Sequence, residues 1–230
     1  MGKGRCNMPG DGLSALILAG GRSRRMGQDK LWMTFGGTPL VERVVERILP
    51  LAGELLFSTN APARFEALVD ALCGRGVSAQ VVADLYPGAG PLAGLHAGLK
   101  VARHDLMLAL AADMPFVNAA LIEHMIGLAP GFDAVVPEVP NRRTGEVFRE
   151  PLHALYRRSC LPAIGARLAA GDRRMTSFLP DVCARFVPPD EIRRFDPDFR
   201  SFFNANTPEE WEEAQRLLAT ESTRVSPDRS

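Results

Sequence analysis

The sequence has no net charge. Its 230 residues carry 27 Lys and Arg against 27 Asp and Glu, so no long-range field draws the chain to nucleic acid or to an anionic bilayer, and an anion site has to be built locally. Neither nucleic acid nor membrane is an expected partner. No apolar run approaches the roughly 20 residues that span a bilayer, and residues 1–12 lack the apolar stretch of a signal peptide, which gives a cytoplasmic expectation. Paired cysteines are missing too. Cys6, Cys73, Cys160 and Cys183 form no Cys-x-x-Cys, which argues against a zinc site or a thioredoxin-like motif; the expected state is reduced thiols, three of them packed as small hydrophobes. With 21 Gly and 18 Pro the chain stays well below the roughly 25% of low-complexity sequences. No internal repeat and no Pro- or Ser-rich linker divides it.

What is present is an ordinary globular composition, 46% hydrophobic and 23% charged, long enough for one large domain or two small ones. Short apolar runs at 15–18, 55–57, 81–82, 106–111 and 134–136 read as buried strands, and they alternate with helical patterns at 39–51, 63–72, 92–102, 119–128, 162–169 and 208–218. Such alternation implies a parallel sheet. We therefore expect a single three-layer α/β domain over 13–219, between polar tails at 1–12 and 220–230 that read as disordered. In the helix at 39–51, Leu40, Val41, Val44, Val45, Ile48 and Leu49 make one apolar stripe, and Pro39 suits the first helical position. Thr207 and Glu210 have the spacing of a capping box for the last helix. Residues 138–151, with Pro140, Asn141, Arg142, Arg143, Gly145 and Arg149, read as a long surface loop, either a substrate lid or a plain insertion.

Three loops carry the chemistry. The first strand runs into Leu18-Ala19-Gly20-Gly21-Arg22-Ser23-Arg24-Arg25-Met26-Gly27-Gln28-Asp29-Lys30, a glycine-rich turn loaded with cations in a chain that is neutral overall. In open α/β sheets the ligand crevice lies at the carboxyl ends of the strands, and small residues there let backbone N–H groups approach a phosphate. The spacing fits neither the dinucleotide fingerprint nor a P-loop, which weakens the oxidoreductase and P-loop NTPase readings. A glycine turn followed by a solvated basic loop is the plain alternative. Residues 84–94, from Asp84 to Gly94, form a second small-residue segment between a strand and a helix; Asp84 is placed to accept hydrogen bonds from a base or sugar, with the glycines keeping the floor open. The third loop ends a buried strand in Ala112-Asp113-Met114-Pro115-Phe116. A carboxylate at a strand end beside a phosphate cradle suits Mg2+, which takes one or two carboxylates plus substrate phosphates.

The string at 18–30, Gly-Pro-Leu-Ala-Gly at 90–94, Ala-Asp-Met-Pro-Phe at 112–116, Glu-Pro-Leu-His-Ala-Leu-Tyr at 150–156 and Phe-Phe-Asn-Ala-Asn-Thr-Pro-Glu-Glu at 202–210 together resemble molybdenum cofactor guanylyltransferases, in order and over residues 13–218. The first motif marks the wider nucleotidyltransferase superfamily and the last is more selective. Cytidylyltransferases of the same pathway usually carry Leu-Ala-Ala-Gly where this chain has Leu18-Ala19-Gly20-Gly21, so guanine is favoured.

The resemblance implies a Rossmann-like nucleotidyltransferase fold with a mostly parallel, mixed sheet. It implies transfer of GMP from GTP to molybdenum-bound molybdopterin with release of pyrophosphate, and a molybdoenzyme or delivery chaperone as a further partner. Leu18, Ala19, Gly20, Gly21, Lys30, Asn60 and Asp84 would bind GTP, Arg25 and Lys30 would neutralise its phosphates, Asp113 would hold Mg2+, and Asn204 and Asn206, taken as two apart on a strand, would contact the pterin. Arg142 and Arg143 are candidate contacts to the pterin phosphate. His96, His104, His124 and His153 show no paired spacing and read as structural or surface residues. Two rivals stay open: a cytidylyl- or sugar-phosphate nucleotidyltransferase, and a non-catalytic module that binds GTP or molybdopterin.

Overall fold

Strands whose side chains alternate between two buried faces need helices on both sides, and the computed structural model, which describes residues 12–20, 30–82 and 90–224, has that arrangement. In chain order the elements are β1 (Leu13–Leu18), β2 (Thr34–Phe35), β3 (Thr38–Pro39), α1 (Leu40–Ile48), β4 (Glu54–Ser58), α2 (Glu66–Gly74), β5 (Ala79–Val82), α3 (Pro91–Val101), β6 (Leu106–Ala111), α4 (Ala119–Leu128), β7 (Ala134–Pro140), β8 (Val147–Arg149), β9 (His153–Arg157), α5 (Leu161–Ala169), β10 (Ala184–Val187), α6 (Pro189–Ile192) and α7 (Pro208–Arg224). The main sheet has the order β10-β7-β9-β6-β1-β4-β5, and β8 pairs with β7. Along that order all neighbours are parallel except β9, which runs antiparallel between β6 and β7, and β8 is antiparallel to β7.

The two cores show the three layers. Ala15, Ile17, Leu55, Phe57, Leu108 and Leu110 point to one face, where α1, α2, α4 and α7 cover them. Leu16, Leu18, Leu56, Met107 and Ala109 point to the other, under α3 and α5. Helix α3 lies unusually close to the sheet. A Cβ at Gly94 would come within 2.4 Å of Ser58 Oγ and 2.7 Å of Leu18 Cδ2, and one at Gly98 within 2.8 Å of Leu16 Cδ2. These glycines therefore exist for helix–strand contact. Gly94 does not keep a ligand floor open, as its sequence context suggested.

Several boundaries depart from expectation. Pro39 precedes α1, with φ −55° and ψ 143°, and pairs with Thr34 in the β2–β3 hairpin, so it is not the first helical residue. Helix α7 continues past 218 to Arg224. The stretch at 138–151 is largely a hairpin: β7 extends to Pro140, and Val139 faces Phe148 of β8. Asn141 closes the turn, its side-chain oxygen accepting the N–H groups of Arg143 and Thr144 at 2.9 and 3.1 Å. All three residues of β8 are exposed, so no apolar alternation marks it in the sequence. Of the cysteines expected to pack as small hydrophobes, Cys160 is buried but Cys73 and Cys183 are exposed. Burial pushes the Cys160 thiol up to about 12. Among the described residues no helix is long and apolar enough to cross a membrane.

Candidate active site at the carboxyl edge of the sheet

Register brings the strand ends together. Leu18 pairs with Ser58 on one side and with Ala111 on the other, and Ser58 pairs with Val82, so β1, β4, β5 and β6 finish level with one another. The residues just beyond three of these strands therefore share one edge: Ala19 and Gly20 after β1, Thr59 and Asn60 after β4, Ala112 and Asp113 after β6. The turn after β1 is held by Ala19 N–H donating to the Ser58 carbonyl at 2.8 Å, and Ala112 N–H donates to the Leu18 carbonyl at 3.1 Å. Gly20 and Asn60 are neighbours across this edge, since a Cβ on Gly20 would stand 3.8 Å from Asn60 Nδ2. The expected site residues Gly21, Arg25 and Asp84 lie outside the described residues.

The centre of the edge is a buried lysine. Lys30 opens a 3-10 turn, Lys30–Trp32, and its side chain is 6% exposed against 19% for Asp113. Its ammonium has three protons and three oxygen acceptors: Asp113 Oδ2 at 2.6 Å, Asn206 Oδ1 at 2.6 Å and the Ala205 carbonyl at 3.4 Å. Burying an ammonium is costly unless it is paired and hydrogen-bonded, and here both conditions are met. Residues 83 and 176 positions away in sequence thus meet at one atom.

The supports of this cluster are legible in local chemistry. Asn206 stands just before α7, whose capping box is formed: Glu210 N–H donates to Thr207 Oγ1 at 3.2 Å, while Glu210 Oε2 accepts the N–H groups of Thr207 at 3.1 Å and Asn206 at 2.8 Å. Beneath it, Phe35, Phe116, Phe203 and Trp211 pack edge to face with centroids 5.4 to 6.2 Å apart, joining the segment after Lys30, the segment after Asp113 and α7. Asn204 and Asn206 are not on a strand, contrary to expectation, because the chain at 203–206 is irregular. Asn206 is engaged by Lys30, whereas the buried Oδ1 of Asn204 has no hydrogen-bond partner among the described residues. Arg142 pairs with Glu213 of α7 at 3.0 Å and lies over the Phe203 ring at 4.9 Å.

Two residues of the 150–156 motif acquire positions that their spacing did not reveal. Glu150 is buried; burial raises its pKa, the Leu152 N–H lowers it, and the nearby Asp113 carboxylate raises it further. A second carboxyl group therefore stands within electrostatic reach of Asp113, and only its place in the motif hinted at it. His153 is fully buried on β9 opposite Leu110, its ring 4.9 Å from that of Phe202, with no hydrogen bond to either ring nitrogen among the described residues. Burial holds its pKa down to about 4. It is a neutral core residue. His124 lies 2.7 Å from Glu191 and stacks on Phe195 at 4.6 Å, a structural role.

An open, mostly parallel sheet whose carboxyl edge gathers a glycine turn, a buried lysine and a strand-end carboxylate defines a nucleotide-handling α/β enzyme. A family model described as the MobA-like NTP transferase domain matches residues 15–185, and the chain belongs to that family of nucleotidyltransferases. The chain is 34% identical over 215 residues to the probable molybdenum cofactor guanylyltransferase of Peptoclostridium acidaminophilum, covering 90% of both chains. It is also 34% identical over 210 residues to the molybdenum cofactor guanylyltransferase of Desulfosudis oleivorans, covering 90% of this chain and 96% of the relative. Among solved structures it resembles molybdopterin-guanine dinucleotide biosynthesis protein A from Archaeoglobus fulgidus, with TM-score 0.71, 29% identity, and 90% and 99% of the two chains covered. A nucleotidyl transferase from Methanothermobacter, at 19% identity and TM-score 0.67 over 92% of this chain and 100% of its own, shares the fold.

Proposed function

We propose that the protein transfers GMP from GTP to the phosphate of molybdenum-bound molybdopterin. A phosphate oxygen of the pterin forms a bond to the α-phosphorus of GTP, the bond from that phosphorus to the bridging oxygen of the β-phosphate breaks, and pyrophosphate leaves with the electron pair. The observation that carries this reading is the contact of Lys30 with Asp113 and Asn206, because it unites three of the motifs that resemble guanylyltransferases at one polar point on the carboxyl edge.

Such a transfer needs positioning and charge neutralisation more than covalent help. Lys30, and Arg25 from the same motif, supply positive charge for the triphosphate. Backbone groups of Leu18, Ala19, Gly20 and Gly21 line the nucleotide side, with Asn60 and Asp84 as further GTP contacts. Asn204 and Asn206 serve the pterin; the unpartnered Asn204 Oδ1 suits a ring N–H donor. The donor set also fits a divalent cation, since Asp113 Oδ2 and the Ala205 carbonyl are hard oxygen donors that already converge on one cationic atom. Asp113 would hold Mg2+, which when bound neutralises phosphate charge that builds up during transfer. The product goes on to a molybdoenzyme or a delivery chaperone.

The test is pyrophosphate release with Mg2+ and molybdopterin or its molybdenum form, comparing GTP, CTP and ATP. We expect release that is selective for GTP and requires the pterin. Preference for CTP would move the protein to the cytidylyl branch, and nucleotide binding without release would make it a non-catalytic module.

A further inference from the structure

The ammonium of Lys30 holds two groups that the proposed reaction needs elsewhere. Asp113 Oδ2 is the oxygen assigned to the divalent cation and Asn206 Oδ1 is assigned to the pterin, yet each lies 2.6 Å from the same Nζ. A divalent cation on that carboxylate oxygen would stand against an ammonium across a few ångströms of largely buried space, where like charges repel strongly. Cation and ammonium therefore compete for the same oxygen, Asp113 Oδ2.

The backbone indicates which of them moves. Asp113 is anchored, its carbonyl accepting the Ala205 N–H at 3.5 Å and the preceding Ala112 N–H bonded to the Leu18 carbonyl at 3.1 Å. Asn206 is anchored as well, its own N–H held by Glu210 at 2.8 Å. The lysine meets both through a four-carbon stem with rotatable bonds. Two acceptors on fixed backbone and one donor on a flexible stem make the donor the exchangeable member.

We propose that Lys30 is an exchangeable counter-ion that closes the nucleotide-free site and couples its two halves. Without nucleotide it neutralises Asp113 and occupies Asn206. When the triphosphate binds, the ammonium moves to phosphate oxygens, which frees Asp113 for the cation and Asn206 Oδ1 for the acceptor. The divalent cation therefore enters with the nucleotide and not before it, and the pterin binds after both. This role rests on the guanylyl-transfer reading of the site.

The test uses Mn2+ as a paramagnetic stand-in, titrated into the nucleotide-free protein and followed by electron paramagnetic resonance, alongside calorimetric titration of GTP in metal-free buffer. Two variants are compared with wild type. Lys30→Gln keeps a hydrogen-bond donor without charge, and Lys30→Met keeps an apolar stem of similar length, so at least one should retain the fold by circular dichroism. We expect removal of the charge to tighten Mn2+ binding to the free protein by at least about tenfold and to weaken metal-free GTP binding by about tenfold. These opposite signs are the signature. Mn2+ binding that is unchanged or weaker in the folded variants would overturn the counter-ion role, as would wild-type protein that binds Mn2+ alone as tightly as Lys30→Gln. A wild-type protein that binds no GTP with or without metal would instead undo the underlying reading of the site.

Discussion

Two carboxylates at opposite ends of the strands, Glu54 at the amino edge and the half-buried Asp113 at the carboxyl edge, are held in opposite ways. At the amino edge Glu54 is fully buried, and the short bonds to its Oε2 come from rigid supports, the Ser14 hydroxyl at 2.7 Å from the adjacent strand and the Arg103 N–H at 2.8 Å from the turn after α3. Among the described residues its Oε1 has only the longer contacts of Gln80 Nε2 at 3.4 Å and Arg103 Nε at 3.7 Å. Ser14 in turn accepts the His104 N–H at 3.3 Å. At the carboxyl edge Asp113 is held by the end of one lysine side chain. A carboxylate bound by backbone and hydroxyl donors cannot change partners without opening the fold, whereas one bound by a flexible ammonium can exchange it for a stronger cation. The first arrangement is structural and the second suits a site that must load and unload.

The comparison breaks most sharply if the two carboxylates are removed in turn. Asp113→Asn should lower kcat for transfer by about 10²–10³-fold, with a smaller drop in the urea midpoint than removal of Glu54 causes, because the flexible Lys30 stem lets the unpaired ammonium turn toward water. Glu54→Ala should do the reverse, destabilising the fold by about 3 kcal/mol because a buried N–H and a hydroxyl lose their acceptor, with unchanged turnover of the protein that remains folded. Wild-type turnover in folded Asp113→Asn would take Asp113 out of the site, and a Glu54→Ala protein of full stability would end the contrast.

His153 sharpens the comparison as a buried ionisable group with no hydrogen-bond partner among the described residues. Its pKa is about 4 in the folded protein and 6.5 as a free side chain, so between these values the unfolded chain binds the extra proton. The stability this contributes is complete above pH 6.5 and is lost as pH falls toward 4, about 3 kcal/mol over the window at roughly 1.4 kcal/mol per pH unit. Comparing unfolding free energies at pH 7 and pH 4, we expect His153→Phe to remove most of that loss. An identical slope in the variant would assign the acid sensitivity to other groups. The smallest effect should come from Thr207→Ala, which removes half of the capping box that presents Asn206. It should cost about 1 kcal/mol by thermal unfolding and lower kcat/KM a fewfold, and an unchanged kcat/KM would separate the cap from the site.

Much of the molecule was legible from residues alone where the signal was local. The run 106–111 ending in Asp113 announced a strand that delivers a carboxylate, and the Thr207–Glu210 spacing announced the start of α7. Other elements were not legible. The strand β9 was hidden because its run of apolar residues, Ala154 to Tyr156, is too short to distinguish a strand from the turn before it, and β8 because it is exposed throughout. Glu150 was visible as a motif letter, but its closeness to Asp113 depends on β9 entering the sheet antiparallel beside β6.

By itself the sequence determined the α/β class, the start of α7, the strand-end position of Asp113 and the set of motifs, since each comes from apolar periodicity, capping chemistry or composition within a few residues. Only the tertiary structure decided that Gly94 serves packing, that Arg142 turns to α7, and that one ammonium holds both Asp113 and Asn206. The physical reason is range. Local propensities act over a turn or two, whereas the pairing of groups 83 and 176 residues apart is set by the register of β1 against β6 and by the aromatic packing that seats α7 beside them.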